Sequence, residues 1–475
     1  MIDILLISPP LRDYSQKRRV PLRSSQLEVI PPLGLLYNAS SLKEAGFKVK
    51  VIDMEVEKLG FNSLNYLIRK MHPTMIGINC TTPVFSIVQQ ITRIIKSIDS
   101  SIFTLLGGHH PTILPESVLS EQSIDFLIRG EGELAIVELM EAIISSTQKF
   151  TDILGLSYKN NDHPIHNPDR PVIEDLNEIS FPDRTMLPYR KYFSAAAKEN
   201  PCTSMITSRG CPYKCIFCSN IFPRPRFRSP QNIANEIELI IDQLHLRDIE
   251  FLDSTFNLKK QLVLDICHEI IKRKLDFSFR CVCRVDLMDK EILQQLKAAG
   301  CYLITYGVES GSDRVLKILQ KGYSVSKVEH TFKITKEIGF ETHGLFMIGT
   351  PGETRREIKD TIEFSKKLDP TFAQFFITVP LPGAKLFDMA LENKWLKEEA
   401  FYDIIKKSYS DILKSDIPPM KFPSLTQKEI SHFHKRALQQ FFLRFRYILK
   451  FIAKIVKEPR RFIKNIFLIV KYLLI

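Results

Sequence analysis

Cys211-Pro-Tyr-Lys-Cys215-Ile-Phe-Cys218, led in by Thr207-Ser-Arg-Gly210, is the stretch from which the rest of the chain is read. Three cysteines fall within eight residues, at gaps of three and two. Thiolates are soft, strong ligands for iron, and gaps this short let one loop wrap one metal centre. Three thiolates on a four-iron cluster leave one iron without a protein ligand. An open iron suits catalysis better than electron storage. A structural zinc site asks for four ligands, usually as two separated pairs, and no second pair fits. Cys281 and Cys283, one residue apart, are read as pointing to opposite faces of a strand. With nine cysteines in 475 residues, a chance cluster of three is rare.

The stretch resembles the cluster loop of the radical S-adenosylmethionine (radical SAM) enzymes, including the aromatic Phe217 before the third cysteine. The resemblance implies that Cys211, Cys215 and Cys218 are the metal-binding and catalytic residues and hold a 4Fe–4S cluster. It implies that the open iron chelates the amino and carboxylate groups of SAM, and that reduction cleaves SAM to a 5′-deoxyadenosyl radical. A reducing protein such as flavodoxin or ferredoxin is then a partner.

Around the loop, strands are expected at 205–208, 248–252, 277–282, 302–308, 343–348 and 374–379, with helices between most of them. Six such units suit a partial (β/α)6 barrel over 201–400, whose active residues gather at the carboxyl ends of the strands. The resemblance carries over residue by residue. Glu309, in Gly-Val-Glu-Ser-Gly, would contact the SAM ribose or amino group, as a carboxylate accepting hydrogen bonds. Ser310 is its weaker polar neighbour. Gly349, Pro351 and Gly352, in Gly-Thr-Pro-Gly-Glu353, resemble the turn that passes close to the adenine, and Phe217 would pack on that base from the cluster side. Asp253, Arg284 and Asp286 are read at the same mouth, as ligands or as salt-bridge and capping residues.

Residues 1–150 alternate short apolar strands with helical stretches, which predicts a doubly wound parallel sheet. Such sheets bind ligands at the carboxyl ends of their strands. Thr81, Gly107, Gly108, Gly130 and Gly132 fall there, and small residues let backbone amides approach a ligand closely. The region resembles the cobalamin-binding domain that precedes one large branch of radical SAM enzymes. Ile30-Pro-Pro-Leu-Gly34, Gly107-Gly-His-His-Pro-Thr112 and Arg129-Gly-Glu-Gly-Glu133 carry the resemblance. It lacks the Asp-x-His-x-x-Gly signature, so cobalamin without a histidine axial ligand is implied. The function implied is methylation of an unactivated carbon of a small or lipid-like substrate. The alternatives are radical cyclisation or oxidation without net methylation, and a non-catalytic cobalamin or redox sensor. Residues 151–200 read as a linker with a small strand at 153–158, and 401–475 as a helical region, irregular over 411–420, ending in a basic amphipathic tail.

The charge pattern narrows the partners. From Lys435 to Ile475 there are eleven Lys or Arg and one acid, Glu458, so nearly all of the net +12 sits in the last 41 residues. The remainder is close to neutral, which argues against a nucleic-acid-binding surface. Lys450, Lys454 and Lys457 share one helical face, with Leu449, Phe451 and Ile455 largely on the other. A basic amphipathic helix of this kind can lie in an anionic membrane surface. Scattered cysteines and a lead-in at Met1-Ile-Asp-Ile that has no cation and carries Asp3 read as cytoplasmic, with a peripheral position at the inner face of the membrane as the extension. No window reaches about 18 uninterrupted apolar residues, the length a spanning helix needs.

Overall fold

The apolar run Ile4–Ser8 is buried along almost its whole length, and a parallel strand of that kind needs cover on both faces. It forms β1, inside a seven-stranded sheet. The computed structural model describes residues 2–11, 28–145, 149–161, 163–396, 420–459 and 461–462, and these fall into two units. The first takes the described residues up to Leu11 and those within Pro31–Lys191, and the second takes 28–30 and the described residues from Tyr192 onward.

In the first unit β1 is followed by β2 (Val49–Asp53), β3 (Met75–Asn79), β4 (Phe103–Gly107), β5 (Phe126–Ile128), β6 (Leu156–Asn160) and β7 (His163–His166). Their order is β2-β1-β3-β4-β5-β6-β7. The first five are parallel, and β6 and β7 add antiparallel at one edge. The order reverses at β1, which makes the sheet doubly wound. The small strand expected at 153–158 within the linker segment is found at Leu156–Asn160, as part of the sheet. Leu156, Ser157 and Tyr158 are buried, and pairing with β5 supplies their backbone groups with partners that a linker would have to seek from water.

In the second unit β8 (Thr203–Met205), β9 (Asp248–Phe251), β10 (Ser278–Cys283), β11 (Cys301–Glu309), β12 (Glu341–Ile348) and β13 (Phe372–Ile377) lie in sequence order and are all parallel. Sequential parallel order with helical crossovers is the topology of a (β/α)6 partial barrel. The helices start at strong signals. Ser229 caps Pro230–Leu244, Ser312 caps Asp313–Ile318, and Thr354 with Glu357 forms a full capping box on Arg355–Leu368.

The strands alternate two faces. On β11, Ile304, Tyr306 and Val308 are buried toward the helices, with Tyr306 Oη 3.0 Å from Thr335 Oγ1. Thr305 and Gly307 on the other face keep some exposure. The same alternation corrects the expectation for Cys281 and Cys283. Residues two apart on a strand share a face, and their sulfurs are 3.7 Å apart, with Cys301 Sγ 4.0 Å from Cys281 Sγ. All three are buried free thiols in the apolar layer under the helices.

Beyond the barrel, helices Gln427–Phe442 and Phe445–Lys457 pack on β13. The expected irregular stretch at 411–419 and the tail beyond Phe462 lie outside the described residues.

Candidate active site

The cysteine loop leaves β8 through Thr207-Ser208 and is pinned at its base by one carboxylate. Asp253, beyond the end of β9, accepts from Thr207 N at 3.0 Å, Thr207 Oγ1 at 2.9 Å and Ser208 Oγ at 2.5 Å. Burial pushes its carboxyl up, against the pull of those hydrogen bonds. Asp253 is thus engaged in holding the loop, the structural one of the two roles open to it. Ser208–Arg209 then pairs with Arg226–Phe227, which closes the loop at its neck. Gly210 at φ 97° turns the chain where a Cβ would come within 2.7 Å of the Phe222 and Arg224 carbonyls.

Within the loop, Cys211 N donates to Phe222 O at 3.0 Å and Cys218 N to Cys215 O at 3.0 Å. Ile216 is driven into an apolar cluster with Val315, Leu319 and Met347, and Phe217 packs against the same cluster. That burial faces the cysteines away from the core. Cys211 and Cys215 are half-buried, Cys218 is exposed, and none is in a disulfide. Desolvation, then the Cys215 and Cys211 sulfurs, push the Cys218 thiol up, and Lys321 opposes them. The three sulfurs therefore feel one another. Among the described residues no group of three His, Cys, Asp or Glu is drawn tightly enough for a single metal ion. A four-iron cluster takes one thiolate at each of three corners, and three free thiols on one loop are a donor set that fits it.

Glu309 ends β11 in the left-handed region, at φ 64°, where a non-glycine residue is held only by its surroundings. Its side chain folds over Gly307, and a Cβ there would meet Glu309 Oε1 at 2.6 Å. The carboxylate pairs with Lys321 Nζ at 3.0 Å, and both side chains are buried. Burial disfavours the Lys321 ammonium, but Glu309, Tyr323 and the Cys215 sulfur outweigh it and hold its pKa above the usual range. Lys321 Nζ also lies 5.5 Å from the Phe217 and Tyr323 ring centroids. Arg284 ties the mouth together. It pairs with Asp286 at 3.0 Å, donates to Lys321 O at 2.5 Å, and stacks 3.4 Å from the centroid of Tyr213, a residue of the cysteine loop.

Lys321, Tyr323 and Tyr213 were not anticipated. A lysine in Gln320-Lys-Gly-Tyr after a short helix reads as solvated. Only the left-handed turns at Gln320 (φ 58°) and Gly322 (φ 77°) aim it inward. Two expected contacts are redirected. Ser310 is buried, its hydroxyl 3.0 Å from Thr361 Oγ1 and accepting from Ser312 N, so it braces the following helix. Gly349 lies under Ile430, whose Cγ2 would be 2.9 Å from a Cβ there. The turn closes on Glu353, whose Oε2 accepts from Gly349 N at 2.8 Å and Thr350 N at 3.0 Å. Burial pushes the Glu353 carboxyl up to about 7. Pro351 is buried and Gly352 is exposed, with φ 69°.

In the first unit, Thr81, Gly107, Gly108 and Gly130 gather at the carboxyl ends of β3, β4 and β5. Gly108, at φ 108°, passes so close to β3 that a Cβ would meet Asn79 Oδ1 at 2.6 Å and Cys80 O at 2.9 Å. Above Gly107 and Gly130 a Cβ would meet nothing within 4 Å, and Thr81 is exposed. Thr112 ties two of these loops, donating to Gly108 O at 2.8 Å and accepting from Gly130 N at 3.1 Å. The open backbone edge fits a broad, flat ligand. Gly132 packs instead on the Asn38 amide. His110 is turned into the fold, with Nδ1 3.1 Å from Thr82 Oγ1 and its ring against Phe85, and burial lowers its pKa to about 4.

Comparison with known proteins agrees with this geometry. Residues 205–365 match the model of the radical SAM superfamily, and residues 21–140 that of the B12 binding domain. An uncharacterized methyltransferase of Pyrococcus horikoshii is 35% identical over 454 residues, which cover 95% of this chain and 94% of that protein. The anaerobic magnesium-protoporphyrin IX monomethyl ester cyclase of Rubrivivax gelatinosus is 26% identical over 425 residues, covering 87% of this chain and 75% of the cyclase. The structure of the radical SAM methyltransferase TsrM of Kitasatospora setae, with tryptophan substrate and a SAM analog bound, shares the fold at a TM-score of 0.68 and 20% identity. That match covers 83% of this chain and 76% of TsrM.

Proposed function

Because this chain belongs to the radical SAM enzymes that carry a B12-binding domain, we propose that it methylates an unactivated carbon of a small or lipid-like substrate. The carrying observation is one loop with three free cysteines beside the Glu309–Lys321 pair, in a chain that also has an open, glycine-lined sheet edge. When bound, the cluster with SAM supplies a carbon-centred radical, and cobalamin supplies the methyl group.

The chain's own residues divide the remaining work. Cys211, Cys215 and Cys218 would hold the cluster. Asp253 and Arg284 fix their loop at its base and at Tyr213. Glu309 offers an acceptor for the ribose hydroxyl or ammonium of SAM, and Lys321 offers a cation for its carboxylate. Phe217, and from the Gly349–Glu353 turn Pro351 and Gly352, would flank the adenine. Backbone amides at Gly107, Gly108 and Gly130 and the Thr81 hydroxyl would meet the corrin, with no histidine supplied as lower ligand. Electrons would come from flavodoxin or ferredoxin. The reading places the enzyme in a reducing cytoplasm, peripheral to the inner face of the membrane. No described helix is long and apolar enough to cross a membrane.

The test is anaerobic reconstitution followed by reduction with SAM whose methyl group is isotopically labelled. The expected result is 5′-deoxyadenosine together with label entering substrate. With the right substrate, 5′-deoxyadenosine without label transfer would favour cyclisation or oxidation, which the cyclase relative makes the second reading. No cleavage with a full cluster would favour the sensor.

A further inference from the structure

Helix Phe445–Lys457 meets the barrel with one face and leaves the other bare. Tyr447 and Phe451 are buried. Lys450 pairs with Asp369, Lys454 pairs with Glu341, and Arg444 donates to Lys366 O at 2.8 Å. Of the lysine face, Lys450 and Lys454 are engaged by barrel carboxylates, while Lys457 stays exposed. On the opposite side Phe445 and Val456 are each 76% exposed, Leu449 and Ile452 50% and Ile448 39%. At helical spacing these five form one apolar stripe about 100° wide, the width that a helix normally buries.

Contiguous apolar surface of this kind marks a contact surface. A second copy of the chain is a poor occupant. It would bring together two tails that each hold eleven cations and one acid from Lys435 onward. Anionic lipid headgroups reverse the sign of that interaction. Arg446, 77% exposed at the far edge of the Asp369 cluster (3.9 Å), and Lys457, also exposed, lie beside the stripe, where cations meet a headgroup layer. After Phe462 the sequence continues Ile-Lys-Asn-Ile-Phe-Leu-Ile-Val-Lys-Tyr-Leu-Leu-Ile, ten large apolar residues with two lysines and one asparagine.

We propose that Phe445, Ile448, Leu449, Ile452 and Val456 insert into the headgroup–acyl boundary of an anionic bilayer, with the helix lying along the membrane surface. The assignment rests on the peripheral position proposed above and is independent of which group the enzyme transfers. It makes the barrel, and not a flexible tether, the part that is held against the lipid. A substrate dissolved in that leaflet is then presented at a fixed height.

The experiment sediments the full-length reconstituted protein with phosphatidylglycerol–phosphatidylcholine vesicles and with phosphatidylcholine vesicles. The wild type is expected to pellet with the first far more than with the second. The variant Leu449→Gln/Ile452→Gln/Val456→Gln is expected to lose partitioning by about tenfold or more. The single variants Phe445→Gln and Val456→Gln, in side chains that are mostly solvent-exposed, should shift it in the same direction by less. Equal pelleting of wild type and triple variant overturns the proposal. So does a wild-type dimer on gel filtration that the triple variant breaks, since the stripe would then belong to a second copy. SAM cleavage without lipid is assayed in parallel and should match in all variants. Its absence in the wild type would sink the catalytic reading alone, and pelleting would still decide the docking.

Discussion

The mouth of the barrel and the carboxyl edge of the first sheet are both strand-end sites, yet they are built from different material. At the mouth, side chains carry the chemistry: three thiols, an acid–base pair at 3.0 Å and a guanidinium stacked on Tyr213. Each has a dedicated support, such as Asp253 beneath the loop. At the sheet edge the chemistry is bare backbone, kept open by Gly107 and Gly130 and shaped by the tight turn at Gly108. A small, highly charged cofactor needs point contacts. A broad macrocycle needs a clear, flat approach. The contrast teaches that substitutions should fail differently at the two sites, through lost contacts at one and through added bulk at the other.

The largest effect is expected at the mouth. Cys215→Ala removes one of three corner ligands, and 5′-deoxyadenosine formation should fall by about a thousandfold or more, with iron content and visible absorption falling alongside. Full iron with normal cleavage would break the contrast at its strongest point. At the edge, Gly108→Val forces a side chain into a backbone conformation reserved for glycine and against Asn79 and Cys80. A stability loss of roughly 3 kcal/mol or more is expected from thermal melts. Gly107→Leu has free space around it, so it should leave the melt unchanged and reduce cobalamin retained through gel filtration. Equal behaviour of the two variants would erase the distinction between shaping and clearance.

The next effect is one of pH. Burial raises the Glu353 carboxyl to about 7, from the usual 4.5. The folded state therefore binds a proton more tightly than the unfolded chain does. The associated stability is fully present below about pH 4.5 and is lost as pH rises through about 7, up to about 3 kcal/mol in all. Glu353→Gln should flatten that decline, read as melting temperature against pH. A parallel decline in the variant would assign it to other groups. The smallest effect is expected for Lys321→Met: a KM for SAM raised about tenfold, with cluster content unchanged.

The same contrast explains what was legible in the sequence. Cysteine spacing is a local property, so the cluster loop could be read from eight residues. The strand–helix alternation gave both sheets, because burial on both faces leaves continuous apolar runs. Lys321 stayed hidden, since its direction depends on two left-handed residues that no pattern marks. Asp253 and Ser310 were placed at the right ends of the right strands, but which way each turned depended on partners 45 or more residues away in the chain, Thr207 and Ser208 for one and Thr361 for the other. Cys281 and Cys283 were assigned opposite faces against the two-residue period that puts them together. The terminal helix was read as amphipathic, but its apolar residues are divided, Phe451 against the barrel and Leu449 toward solvent, because Asp369 and Glu341 on the barrel engage Lys450 and Lys454.

One chain of rings has a practical consequence. Phe375 of β13 touches Phe441, Phe441 touches Tyr447, Tyr447 touches Phe451, Phe451 touches Phe462, and Phe462 stacks back on Phe372 of β13. The last helices are therefore a cross-brace on the final barrel strand and not a detachable anchor. Cutting the chain at 441 would strip aromatic cover from β13, and any loss of membrane binding would be indistinguishable from a damaged barrel. The proposed lipid attachment and barrel integrity share one piece of masonry, so the two can be separated only by repainting its outer surface, never by removing it.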